Sequence, residues 1–516
     1  MRTLIISALF LLANIAFCQY PNVKISDYYQ PNEPSIYINP KNTNQLLAGA
    51  NTAYYYLSDD GGLSWITNEI VSSLGVMGDP CMIIDTIGNY YFFHLSVPDD
   101  EHWLDQIVCQ KSTNKGLTWN DGTGIYKDSP KMQDKEWAVV NPYNNEIYVT
   151  WTQFDSYGVP DADKYSKILF SKTSDEGETW SPAIVINEID GNCVDSDETV
   201  EGAVPAVGPD GEIYVSWAGP AGLVFDRSID GGITWLENDI TVSDFPGGWD
   251  YAVPGLGRCD GFPVTCCDLS QSPYRGTVYI NWSDQRNGTD DTDVWLLKST
   301  DGGITWSDRI RVNDDPPGKH QFLTWMTIDQ TNGRIWIVFY DRRNYTDNQT
   351  DVYLAYSIDG GETFTNIRIS ESPFTPTAGV FFGDYTNITA SNNIVRPIWC
   401  RLSGGKTSIY TAIMDPLFTE IKHEAEAPFS IDGTYPNPFT ETAALSFKLR
   451  RQTTISLIVY NTLGERVYTM IDNETLEAGK YTKTFDRKKM NLQPGIYFYK
   501  LSGEKMIKTG KIIISE

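Results

Sequence analysis

Six short apolar segments of this chain are each approached by an acidic residue. Glu33 precedes "PSIYI", Asp79 "PCMII", Glu136 "WAVV", Glu201 "GAVPAV", Asp260 "GFPVT" and Asp384 "YTNI"; a seventh segment, "QFLTW", is approached by His320. Carboxylates repeated at one point of a repeating unit suit two kinds of chemistry. Two of them can act as general acid and general base on a glycosidic bond. Several together can hold a hard cation such as Ca2+. Capping of backbone N–H groups in neighbouring loops would use the same residues. Asp79, Glu136, Glu201, Asp260 and Asp384 are therefore the candidate catalytic residues. No metal ligand is assigned and no cofactor is required, Ca2+ being the possible one.

A second pattern lies further along the repeating unit. "NWSDQRN" and "VFYDRRN" align Asp284 with Asp341 and Arg286 with Arg343. A guanidinium fork binds a carboxylate bidentately, so these four residues, with His320, are the candidate substrate-binding set for an acidic sugar. An Asp–Arg pair bracing a long loop is the alternative.

The elements that must position these side chains are written six times. "SDDGGLSW", "STNKGLTW", "TSDEGETW", "SIDGGITW", "STDGGITW" and "SIDGGETF" begin at residues 58, 112, 173, 228, 299 and 357. Each follows two or three alternating apolar runs and precedes a short one such as "ITVSD" or "IRISE". Several short strands per period of this length predict a propeller. Asp60, Asp175, Asp230, Asp301 and Asp359 read as structural, each accepting turn N–H groups while a glycine takes the positive φ. After the sixth motif come three strands without a fourth. "NVKISDY" near the start matches "NIRISES", so Val23–Ser26 is expected to close the ring. The expectation is an all-β, seven-bladed β-propeller over residues 19–415, six blades being the alternative. A linker (416–430) and a small C-terminal β-sandwich (431–516) follow.

The 516 residues carry a formal charge of −27, yet from Pro428 onward 13 basic residues outnumber 9 acidic ones. An acidic body repels phosphate polymers, which excludes nucleic acid as a partner. Residues 1–18, "MRTLIISALFLLANIAFC", have the charge, apolar run and small residues of a secretory signal peptide. No other stretch is long and apolar enough to span a bilayer. Seven cysteines would remain after cleavage, and Cys259 could pair with Cys266 or Cys267 in an oxidising compartment.

The eight-residue repeat resembles the Asp-box (BNR repeat) of sialidases and related propellers. "YPNPF", "LIVYNTLGERV" and "LQPGIYFYKLSGEKMIKTGKIII" resemble the C-terminal sorting domain (type A) of the type IX secretion system. The first resemblance implies a sialidase-like propeller whose mouth is built by the loops entering the first strand and leaving the second. The Arg-Ile-Pro segment of sialidases has no counterpart here, and the first arginine after the leader is Arg227. The second implies export by the type IX machinery, then release or surface attachment. The expected function is a secreted glycosidase, exo-α-sialidase-like, or a lyase, acting on an acidic polysaccharide or sialoglycan. A non-catalytic propeller binding carbohydrate or protein is the alternative. A monomer is expected.

Overall fold

In the motif that begins at Ser299, Asp301 Oδ1 accepts from Ser299 Oγ at 2.7 Å and from the N–H of Thr305 at 2.9 Å, while Oδ2 takes the Thr305 hydroxyl at 2.6 Å. Asp60, Asp175, Asp230 and Asp359 repeat this geometry, and Asn114 substitutes its amide in the second copy. One carboxylate thus satisfies a whole turn. Gly302 and Gly303 supply its positive φ angles, 70° and 86°. The side-chain and backbone donors hold the carboxyls of Asp175 and Asp230 down at about 2. The motif is a hairpin staple, as the sequence implies.

The computed structural model describes residues 20–98, 103–415, 429–462, 464–503 and 506–515. The leader and most of the 416–430 linker lie outside the described residues. The chain divides into two compact units, up to residue 419 and from residue 420.

Among the described residues of the first unit every strand pair is antiparallel, and the strands form seven four-stranded sheets. The first sheet runs Ser35–Ile38, Leu46–Ala50, Tyr54–Ser58, Ile66–Glu69 in simple meander order. The last combines Asn387–Ser391, Ile394–Ser403 and Lys406–Ala412 with Asn22–Ser26 from the other end of the chain. The inner strands Ser35–Ile38, Cys81–Ile84, Met132–Val140, Glu201–Val207, Val264–Cys267, Gln321–Asp329 and Asn387–Ser391 neighbour one another in cyclic order, the last touching the first. This is a propeller, and ring closure removes the free sheet edge. Trp151, Trp217, Trp282, Phe339 and Trp399, one per blade on the second strands, are fully buried between sheets.

In three blades a cation just before the motif links the blade to the next. Lys172 Nζ donates to the Gly231 carbonyl at 2.7 Å and Lys298 Nζ to that of Gly360 at 2.8 Å; Arg227 reaches Gly302 in the same way. All seven described cysteines are free thiols. The pairing considered for Cys259 is therefore absent: Cys266 and Cys267 sit side by side on an inner strand, where their side chains alternate faces, and Cys259 is buried in the loop before it.

The second unit is two antiparallel sheets. One orders Phe429–Tyr435, Thr442–Leu449, Gly479–Asp486; the other Arg466–Leu476, Thr453–Tyr460, Gly495–Gly503, Met506–Ile514. Leu445, Phe447, Leu457, Val459, Phe485 and Leu501 are fully buried between them, following the alternation visible in the sequence.

Candidate functional site

The inner strands start with a local distortion that turns side chains toward the axis. Glu33, Asp79 and Lys135 have φ of 49°, 51° and 55°, and Leu323 has 49°; Gly202 and Gly383 fill the same conformation beside Glu201 and Asp384. Register shifts mark bulges between Asp134 and Trp137, Glu201 and Val204, and Phe322 and Trp325. Bulges of this kind re-aim side chains. They gather Glu33, Asp79, Glu136, Glu201, Asp260 and Asp384 at one end of the axis.

Two cations that the carboxylate pattern did not single out organise this cluster. Lys135 Nζ lies 2.8 Å from Asp384 Oδ2, 2.9 Å from Asp79 Oδ2 and 3.4 Å from Glu33 Oε1. Arg258 grips Asp195 with both terminal nitrogens, at 2.8 and 3.0 Å. Its Nε faces Asp260 at 3.2 Å and Asp384 at 3.5 Å. Asn51 donates to Glu33 and accepts from the N–H of Asp79. Tyr157 donates to Asp195 at 2.7 Å. Among the described residues no group of three or more His, Cys, Asp or Glu side chains is arranged to hold a metal ion.

Protonation states divide sharply. Burial, joined by the neighbouring carboxylates, holds Glu33 well above the usual carboxylate range. Burial does the same to Glu136, Glu201 and Asp260, and pushes Asp134 up to about 7. Asp384 goes the other way. Burial opposes its charge, but the Lys135 ammonium and the Arg258 guanidinium hold it well below the usual range. Both oxygens of Glu136 and of Glu201 are buried without a hydrogen-bond partner, which suits neutral carboxylic acids.

The cluster is nearly closed to solvent. Only Arg258, with 24% of its side chain exposed, and Asp195, with 12%, reach outward appreciably. Tyr385 lies beneath Lys135, 5.9 Å from Nζ to ring centre, and packs on Trp137 and Trp325. Trp137 and Trp325, 4.2 Å apart, also line a mainly apolar axial cavity of about 420 Å³ between the inner strands.

The residues selected as substrate-binding are not brought to this cluster. Arg286 bonds Asp284 at 2.9 and 3.0 Å, reaches Asp244 at 3.3 Å and lies over Trp282 and Trp295. Arg343 bonds Asp341 at 2.8 Å and Asp314, and stacks 4.3 Å from Tyr353. Both are braces between neighbouring blades, with their guanidinium groups committed to the chain's own carboxylates. His320 accepts or donates at Thr292 Oγ1, 2.9 Å away, and burial pushes its imidazole down to about 4. It therefore stays neutral.

Residues 433–515 match the family described as the secretion system C-terminal sorting domain. Among curated proteins no sequence matches the chain. Several solved structures are similar. An α-L-arabinanase of Penicillium chrysogenum complexed with arabinobiose shares 13% identity over 76% of this chain and 97% of its own, with a TM-score of 0.42. The NanB sialidase of Streptococcus pneumoniae shares 9% over 66% and 68%, at 0.43. An ulvan lyase of polysaccharide lyase family 25 shares 13% over 76% and 93%, at 0.45. The sorting domain marks the protein for secretion or cell-surface attachment. Among the described residues no helix is long and apolar enough to cross a membrane.

Proposed function

We propose that this secreted propeller acts on glycans at the axial carboxylate cluster, as a glycoside hydrolase or lyase with Asp384 as base and Asp260 as acid. The observation that carries the reading is their unequal surroundings: Lys135 Nζ and Arg258 Nε both face Asp384, at 2.8 and 3.5 Å, whereas Asp260 faces Arg258 Nε at 3.2 Å. Burial holds the Asp260 carboxyl well above the usual range, whereas Lys135 and Arg258 hold Asp384 well below it. Carboxyl pairs driven apart in this way divide acid and base roles. Glu201, buried and neutral beside them, is a second proton donor. Lys135 and Arg258 hold Asp384 ionised, and Asp79, Glu136 and Glu33 complete the field around Lys135. Substrate would arrive past Arg258, the outermost member. Arg286 and Arg343 are already paired, so a substrate carboxylate gains no free guanidinium from them.

A second reading has its own support. Each carboxylate of the catalytic set is buried, and most are tied to the chain's own donors. That suits a propeller that binds carbohydrate without cleaving it.

The test incubates the full-length protein with neutral polysaccharides, polyuronates and sialosides and measures new reducing ends, unsaturated uronate and free sialic acid. Product from one of them, lost in Asp384→Asn and in Asp260→Asn, supports the assignment. Product that survives both substitutions refutes it. Binding without product favours the second reading.

A further inference from the structure

We infer that Tyr28, Tyr29 and Tyr54 form a stacking platform for an uncharged sugar ring. This subsite deepens the glycan reading above and rests on it. The three rings touch one another. Tyr28 meets Tyr29 edge-on with centres 4.5 Å apart and meets Tyr54 at 5.3 Å; Tyr29 stacks on Tyr54 at 5.4 Å and 15°. Tyr54 is buried beneath, whereas Tyr28 and Tyr29 are 54% and 71% exposed. Tyr29 is stacked on Tyr54 by one face and turns the other outward, while Tyr28 stands perpendicular to it as a side wall; a flat aromatic face with hydroxyls at its edge fits the C–H face and ring hydroxyls of a pyranose or furanose.

The backbone holds them there. Tyr29 and Gln30 have φ of 56° and 55°, a conformation that side-chain-bearing residues adopt at a cost and that concentrates at functional loops. The location also fits. The loop runs from the closing strand Asn22–Ser26 to the inner strand Ser35–Ile38, and three residues beyond Gln30 it places Glu33 on Lys135. Tyr54 starts the strand that follows Asn51, whose side chain spans Glu33 and Asp79. Phe381, also exposed, is joined to the loop through Asn32 at 3.4 Å. The platform and the carboxylate cluster therefore share one loop at one end of the ring.

Charge selects the ligand. Asp27 is matched by Lys24 at 2.6 Å, and Glu69 stands directly across the strand pair from Tyr54. The residual charge is negative, on a chain of net −27, so a polyuronate is repelled and a neutral glycan is not.

Electrophoresis of the full-length protein through gels containing galactomannan, xyloglucan or mixed-linkage glucan, and in parallel alginate or polygalacturonate, tests this. At least one neutral polymer should retard the protein and neither uronate should. Tyr28→Ala/Tyr29→Ala should weaken the retarding interaction about tenfold, and Tyr28→Phe/Tyr29→Phe should keep most of it, with thermal unfolding unchanged in both. The inference is overturned if no neutral polymer retards the protein, if the alanine pair behaves as wild type, if uronates alone retard it, or if the alanine pair changes the association state instead. Asp384→Asn separates the two readings. It should abolish product and leave retardation intact, so retardation without any product sinks only the acid/base assignment, and product without retardation sinks only the platform.

Discussion

Lys135 is the side chain on which the axial cluster depends. Three carboxylates from three other blades converge on its ammonium group within 3.4 Å, and its side chain is only 7% exposed. Removing one partner of a buried ionic network leaves uncompensated charge, so Lys135→Met should cost about 3–5 kcal/mol in urea unfolding. A loss under about 1 kcal/mol would mean that the carboxylates simply take up protons. Asp134 offers a test by pH. Burial raises it from an ordinary value near 4 to about 7. The folded state therefore binds the extra proton, and the associated stability is complete below about pH 4 and lost as pH rises to about 7. Asp134→Asn cannot ionise and can still accept the Lys135 N–H. It should match wild type near pH 4 and exceed it above pH 7, by about 2 °C or more in Tm. Asp384 has the opposite sign. Its depressed value contributes stability above about pH 4 that disappears as pH falls.

At the scale of strands and hairpins, legibility follows the locality of the cause. The motif turn was readable because Ser, Asp, Gly and Thr satisfy one another within seven residues. The gathering of acidic residues at one end was readable because each precedes an apolar run. Lys135 was not, because the bulge between Asp134 and Trp137 inserts a residue. Lys135, rather than Glu136, then takes the left-handed position held by Glu33 and Asp79. Arg258 was missed because its partners Asp195 and Asp384 are 63 and 126 residues away along the chain; the "RCD" spacing to Asp260 was the one local signal. The repeated Asp–Arg sequence at 284–286 and 341–343 was legible as a pair, but its direction was not, since Asp244 and Asp314 come from neighbouring blades. The cation ahead of four of the motifs, in "KS", "KT" or "RS", carries no local sign of its target. Lys298 bonds Gly360 and Glu362 of the next blade, the latter at 2.6 Å. Lys298→Met should cost about 1 kcal/mol, since Glu362 is exposed and its ion pair adds little. An unchanged urea midpoint would remove the cation from the list of contacts that hold blades together.

For the whole molecule, the seven sheets stay a ring only if the two ends of the propeller meet. Asn22–Ser26 completes the last sheet against Lys406–Ala412, and the same segment clips onto the preceding blade. The Asn22 N–H donates to Glu371 at 2.9 Å, its carboxamide accepts the Glu371 N–H at 2.9 Å, and its Nδ2 donates to the Ile369 carbonyl at 2.7 Å. Ile25 is buried in the sheet and Tyr20 in the core. Deleting residues 20–26 strips Lys406–Ala412 of its partner and bares the edge of a long antiparallel sheet, a template for pairing with a second chain. The deletion should lower Tm by at least about 5 °C and shift the protein to mixed oligomers in light scattering. Asn22→Ala is the milder probe. It removes side-chain bonds but leaves the strand, so it should cost about 1–2 kcal/mol and stay monodisperse. If both variants melt with wild type, the remaining inter-blade contacts hold the ring unaided, and the N-terminal strand is a cover for the edge rather than its closure.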